Sequence, residues 1–287
     1  MSLYSNDINA EGAKILAQTL ANKTQLKTLG LSNNIIGQGG ARELAQVCLP
    51  GLVSLTRLAL ESNLIGNLGL QGLSTALAEN ESLEEIFLYN NDLDDDMMLN
   101  FSQMLSNKNR LVTLGLEYNR IRSRGINHVF EVVKTLPRFE RLFVSHNLIN
   151  EDSSETIRDM LTESNSIKEL RINNNQQIGD AAGQEIVTGI HESKTIKVCH
   201  LSDTKLSGLS AKKLCEVIKK EGHTIKDLDI SNNLIIMDDI EMLANAFKES
   251  TIQCLNIRGN IVSAEEIVAF EHLLVPVSTM TKRKFIF

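Results

Sequence analysis

Six histidines (His128, His146, His191, His200, His223, His272) and four cysteines (Cys48, Cys199, Cys215, Cys254) are the residues of this chain best suited to metal ligation or nucleophilic chemistry. Neither set has the spacing such chemistry needs. No H-E-x-x-H or paired-histidine arrangement occurs, and the cysteines form no C-x-x-C pair, which reads as reduced thiols of a cytosolic protein. Asp92, Asp94, Asp95 and Asp96 concentrate carboxylates but lack the glycine and distal glutamate of a calcium loop. Gly37-Gln38-Gly39-Gly40 and the series Gly66, Gly69, Gly72 lack the Lys-Ser/Thr that completes a phosphate loop. The expectation is a protein that is not an enzyme and holds no cofactor or metal.

What remains is binding chemistry. Aromatic residues are sparse, nine Phe, three Tyr and no Trp in 287 residues, yet the stretch IFLYNNDL alternates Phe87 and Tyr89 with Ile86 and Leu88. In a strand the two rings share one face and the two aliphatics the other. A net charge of -7 argues against nucleic acid as a partner, because phosphate binding needs a dominant basic surface. No apolar run approaches membrane-spanning length and no secretory leader is visible, so a cytoplasmic protein without a membrane partner is expected. The sequons at Asn22 and Asn80 are then read as accidental.

The elements that position these residues emerge from a repeat. LKTLGLSNNI, LTRLALESNL, LEEIFLYNND, LVTLGLEYNR, FERLFVSHNL and IKDLDISNNL share apolar residues at the first, fourth and sixth places and Asn at the ninth. The ninth place falls at Asn6, Asn34, Asn63, Asn91, Asn119, Asn147, Asn175, Thr204, Asn233 and Asn260, in steps of 27 to 29 residues. Behind each come apolar residues at helical spacing, such as Met98, Phe101 and Leu105, or Ile267, Phe270 and Leu274. Each unit therefore reads as strand, turn and helix. The ninth-place amide is expected to satisfy backbone groups where the chain leaves the strand, with a weaker joint at Thr204 and a bulge before Ile178. Gly12, Gly40, Gly69 and Gly125 recur where helices pack closely, and Ser263 with Glu266 predicts a capping box.

The pattern L-x-x-L-x-L-x-x-N-x-I resembles the leucine-rich repeat of the ribonuclease-inhibitor type over nearly the whole chain. The resemblance implies an α/β solenoid of about ten repeats, a right-handed horseshoe with a parallel sheet on the concave face and helices on the convex face. Residues 1–275 are expected to form one array and 276–287 a tail or cap, with Pro276 ending the last helix and Phe285-Ile286-Phe287 either folding back or meeting another molecule. The resemblance also implies a non-catalytic scaffold that binds a protein partner on its concave face. Two other readings stay open: a GTPase regulator similar to the Ran GTPase activators, and a sensor or autoinhibitory region of a larger protein.

In such a repeat the third, fifth and seventh places face the concave side. The expected partner site joins Phe87, Tyr89, Phe143 and Tyr118 with Glu85, Glu117, Arg141, Arg171 and His146. Gly115, between Phe87 and Phe143, predicts a slot between two rings, and Arg57 with Glu85 and Arg141 with Glu169 are expected to pair. Stacking of like places also sets Asp92, Asp94 and Asp96 against Arg120, Arg122 and Arg124. The N-terminal strand edge is expected to be open to self-association.

Overall fold

A strand of three residues followed by a helix, repeated in chain order, is what the periodicity builds. The computed structural model describes residues 1–220, 222–263, 265–266 and 283–287. They fall into two compact units, Met1–Asn147 and Leu148–Phe287. In the first, α1 (Ala10–Leu20), β1 (Thr28–Gly30), α2 (Gly37–Val47), β2 (Arg57–Ala59), α3 (Gly66–Ala76), β3 (Glu85–Phe87), α4 (Met98–Leu105), β4 (Thr113–Gly115), α5 (Ser123–Val133) and β5 (Arg141–Phe143) follow one another. In the second the order is α6 (Ser154–Glu163), β6 (Glu169–Arg171), α7 (Gly179–Glu192), β7 (Val198–His200), α8 (Gly208–Lys219), β8 (Asp227–Asp229), α9 (Met237–Glu249), β9 (Cys254–Asn256) and β10 (Lys284–Ile286).

Within each unit the strands pair in parallel with like places in register. Leu29, Leu58, Ile86, Leu114 and Leu142 align across the first unit, and Leu170, Cys199, Leu228, Leu255 and Phe285 across the second. Apart from half-buried Phe285, these fourth-place residues are buried together with the first, sixth and eleventh; in the fourth repeat Leu83, Ile86, Leu88 and Leu93 are all at most 1% exposed. Full burial of each such side chain contributes about 1.5–3 kcal/mol, so the repeated apolar places carry most of the driving force. The aliphatic just after the ninth-place Asn is an outward residue instead, as at Ile35, Leu64, Leu148 and Leu234. Helices approach closely where glycine recurs: a Cβ on Gly40 would sit 2.9 Å from the Ala13 Cβ and 3.1 Å from the Ala10 Cα.

The ninth-place amides form a ladder. Asn91 Oδ1 accepts from the backbone N–H of Asn63 (3.0 Å) and of Ile65 (3.3 Å), and its Nδ2 donates to Leu60 O (2.9 Å) and Tyr89 O (3.2 Å). Asn119 repeats the pattern one repeat later. Thr204 departs from it: its hydroxyl donates to Leu201 O of its own repeat and to Asn233 Oδ1 of the next. The extra residue in the turn after Asn175 is accommodated as expected, with Ile178 in the core and Gly179 taking a φ of 62°.

A second set of buried polar residues, Asn80, Lys108, Ser164 and Ser193, lies three places before the first apolar residue of four repeats and was not expected. Asn80 donates to Leu52 O and accepts from Ser82 and Leu83 N–H, so this sequon amide is committed to the fold. Lys108, fully buried, donates from Nζ to Ala78 O at 2.7 Å. Burial pulls its pKa below the ordinary lysine value against the opposing pull of Glu79 and Glu81.

The capping box is present, with Ser263 N–H donating to Glu266 Oε2 and Glu266 N–H to Ser263 Oγ. The expected helix through Ile267, Phe270 and Leu274, its stop at Pro276, and His272 lie outside the described residues. The tail folds back: β10 adds to β9, Arg283 donates to Ile252 O at 2.7 Å and to Phe247 O, and its guanidinium lies 4.2 Å from the Phe247 ring centre. Met1, Ser2 and Leu3 run beside β1, with Leu3 N–H donating to Gly30 O.

Candidate functional site

In the first unit the strand register brings most of the predicted residues onto one face. β3 alternates buried Ile86 with half-buried Glu85 and Phe87, and Tyr89 follows on the same side. Arg57, one strand over, pairs with Glu85 and places its guanidinium carbon 4.6 Å from the Phe87 ring centre, a cation–π geometry. Glu85 also draws in Arg141, whose Nη2 is 3.6 Å away and whose Nε donates to Thr113 Oγ1 at 2.9 Å. The Arg57–Glu85 pair is therefore as expected. Arg141 turns to Glu85 and Thr113, while Glu169 pairs with Arg171 within the second unit at 2.5 Å.

The slot over Gly115 is not open. A Cβ at Gly115 would lie 3.0 Å from Phe87 Cδ1 and 3.0 Å from Glu117 Oε2, so the ring and the carboxylate lean over the glycine and fill the space its missing side chain leaves. A half-buried ring gains more from that contact than from standing free in water. Gly115 is thus the residue that lets Phe87 lie down against the sheet. Phe143 is half-buried on the other side of β4 in register with Gly115.

Beside the phenylalanines lies an acidic row that the sequence pattern only half revealed. Tyr89 sits between Glu61 and Glu117; burial first, then these two carboxylates, raise its pKa above the ordinary tyrosine value. Glu61 is buried and accepts from Ser32. Its membership was readable from its seventh place, which it shares with Tyr89 and Glu117. Arg57 was named only as an ion-pair partner, and its stacking on Phe87 depends on a rotamer that no sequence pattern specifies.

Tyr118 and His146 stack face to face, ring centres 3.9 Å apart at 12°. Both occupy the eighth place, and the backbone there is left-handed in every repeat: Asn33, Ser62, Asn90, Tyr118, His146, Asn174, Asp203 and Asn232 all have φ between 53° and 56°. Asn, Asp, His and Gly tolerate that conformation, whereas a bulky side chain such as tyrosine pays about 1–2 kcal/mol for it. Tyr118 is nevertheless 56% exposed, so its ring does not recover the cost by burial in the core. Arg171 belongs to the second unit, where it pairs with Glu169.

The acid–base ladder is two-thirds formed. Arg120 pairs with Asp92 at 2.8 Å and Arg124 with Asp96 at 3.5 Å, but Asp94 is taken by Asn67, whose Nδ2 donates to it at 2.5 Å. Asp94 caps the 3-10 turn that follows it by accepting from Asp96 N–H, and the Arg122 backbone N–H donates to Asp95. Burial pushes the thiols of Cys48, Cys215 and Cys254 up to about 11 and that of Cys199 to about 12. Among the described residues no group of three or more His, Cys, Asp or Glu could hold a metal ion, and no helix is long and apolar enough to cross a membrane.

No family profile matches the chain. It is 26% identical over 239 residues to the ribonuclease inhibitor of Sus scrofa, covering 82% of this chain and 52% of that protein, and 26% identical to the ribonuclease inhibitor of Mus musculus, covering 86% and 54%. The chain thus spans about half the length of these relatives. It is also 22% identical to NACHT, LRR and PYD domains-containing protein 3 of Rattus norvegicus, covering 84% of this chain and 22% of that protein. A solved TDR receptor aligns with a TM-score of 0.46 at 16% identity, over 88% of this chain and 46% of its own, a likeness too low to bear on the fold. With parallel strands, a helix after nearly every strand and an asparagine ladder at a period of 27 to 29 residues, the chain has a leucine-rich-repeat fold and is similar in sequence to the ribonuclease inhibitors.

Proposed function

We propose that the chain is a non-catalytic binding scaffold of the cytoplasm that grips a protein partner on the strand face of its first unit, over β2 to β5. The observation that supports this most directly is the Tyr118–His146 stack, in which an exposed tyrosine is held in a backbone conformation that disfavours it. Strain of that kind persists where something else is gained, and an exposed aromatic beside arginines has the composition of a binding hot spot. Phe87, Tyr89 and Phe143, with Glu85, Glu117 and Arg141 around them, extend the surface. In this reading residues 1–275 act as one array with the tail as its cap, and Arg171 is a peripheral contact. Repeats suit the task because their surface is organised before binding, which limits the ordering cost. Affinity capture with mass spectrometry, comparing wild type with the Phe87→Ala, Phe143→Ala variant, tests it. A partner lost only from the variant supports the reading; an identical partner set contradicts it.

The relatives' names add one defined candidate, a ribonuclease, which a direct inhibition assay accepts or removes. A second reading is supported by the match to only 22% of a NACHT, LRR and PYD domains-containing protein: the chain as the repeat region of a longer protein. The size of the endogenous protein on an immunoblot separates it from a free-standing scaffold. A GTP hydrolysis assay with small GTPases tests the Ran-activator resemblance, for which no site residue has been assigned.

A further inference from the structure

The helical layer of the first unit carries a groove of about 730 Å³ between α2 and α3, within the usual size range of a binding cleft. Its origin is local. Gly72 of α3 faces Ala45 of α2, where a Cβ would come within 3.4 Å of the Ala45 Cβ, so the two helices present a shallow trough there in place of interlocked side chains. The 3-10 turn Leu49–Gly51, which follows α2, raises a wall at one end. Along the trough stand large apolar side chains that the fold leaves outside: Val53 is 59% exposed and Leu68 53%. Scattered exposed hydrophobes are ordinary, but here they line a single concavity.

The charges at the ends say what fits. Glu79 lies just past the C-terminus of α3, where together with Glu81 it outnumbers the Lys108 ammonium bound to Ala78 O and leaves that end negative, while Arg42 lines the groove nearer the helix starts. Arg42 corresponds in register to Gln71, five residues and about 8 Å of helical rise before the end of α3, with Glu79 in the turn beyond. A helix offers a positive N-terminus and a negative C-terminus over such a span.

We propose that this groove seats a short apolar-faced helix of a partner protein, lying antiparallel to α2 and α3, with its N-terminus at Glu79 and its C-terminus at Arg42. Leu68 and Val53 would contact its apolar stripe, and Gly72 would allow its side chains to reach the floor. This surface is distinct from the strand face of the preceding reading, and either can fail without the other.

The test uses the full-length chain and a synthetic helical peptide of about three turns with leucines at i, i+3, i+4 and i+7, against a peptide of the same composition in scrambled order. Methyl NMR titration should show the striped peptide shifting Leu68, Val53 and Leu49 signals and the scrambled one leaving them in place. A spin label at the peptide's N-terminus should broaden Val53, and one at its C-terminus Leu68. Leu68→Asp, at a half-exposed position that leaves the core intact, should weaken binding roughly tenfold or more, and Gly72→Leu should do so by filling the floor. Equal response to both peptides, unchanged affinity in Leu68→Asp, or the opposite broadening pattern would overturn the proposal.

Discussion

The strand faces of the two units present the same places with different chemistry. At the fifth and seventh places the first unit offers Phe87, Phe143, Tyr89, Glu61 and Glu117; the second offers Arg171, His200, Asp229, Asn173, Ser202 and Ser231. Side chains of the second unit turn to local partners: Asn173 Oδ1 accepts from Ser202 N–H, Asp229 Oδ1 from Ser231 N–H, and His200 lies 3.7 Å from Asp227. The eighth place sharpens the contrast: the second unit carries Asn174, Asp203 and Asn232 where the backbone is left-handed, and the first carries Asn33, Ser62 and Asn90 but also Tyr118 and His146. The same backbone geometry carries residues suited to it in the second unit, and in the first it also carries Tyr118, a bulky side chain that it disfavours. The deviation from what the scaffold prefers is the part that points to function.

The largest effects should come from the scaffold common to both. Asn91→Ala strands the N–H groups of Asn63 and Ile65 in the core, and should cost about 3 kcal/mol in urea unfolding. Thr204→Asn extends the ladder where it is thinnest and should add about 1 kcal/mol. A loss on Thr204→Asn would mean that the bulged turn before Ile178 depends on the threonine.

Exchanging the eighth-place residues tests the contrast itself. Tyr118→Asn should leave stability unchanged or raise it by up to about 1 kcal/mol while weakening partner binding, whereas Asn174→Tyr should cost about 1 kcal/mol. Should Tyr118→Asn clearly destabilise, the stack with His146 is structural and the strain argument fails.

A pH titration separates the units by another route. Burial first, then Lys226 and His191, hold the pKa of His223 below the usual 6.5. The unfolded chain then takes up the proton before the folded one, so this residue's contribution is complete above about pH 6.5 and lost as the pH falls below it. His223→Gln should flatten that dependence in denaturant melts of the full chain; an unaltered slope would assign it to other groups. The smallest effects belong to the exposed ladder: Asp92→Ala and Asp96→Ala should each change stability by no more than about 0.5 kcal/mol.

The period, the strand–helix order and the core places were legible because a buried place must be apolar in every repeat and a ladder amide must recur at one spacing. Ile86, Leu88 and Asn91 could be assigned from their places alone. The face was legible only as a set of residues. Which way Phe87 lies, that Arg57 covers it, and that Arg141 turns to Glu85 depend on rotamers chosen among neighbours, and periodicity holds no record of them. Asp94 shows the same limit: its place aligned it with Arg122, but its carboxylate caps a 3-10 turn and takes Asn67. Lys108 escaped notice because a lysine between helix and strand reads as solvated, and only the stacked helix end supplies the carbonyl that buries it.

The most direct test of the central claim compares the two faces in one assay. Take the partner captured by the wild-type chain and measure its affinity for Phe87→Ala, Phe143→Ala and for His200→Ala, Asp229→Ala, with urea melts confirming that both variants fold. The account predicts a loss of at least tenfold for the first variant and near wild-type binding for the second. Equal affinities, or a loss confined to the second variant, would contradict it.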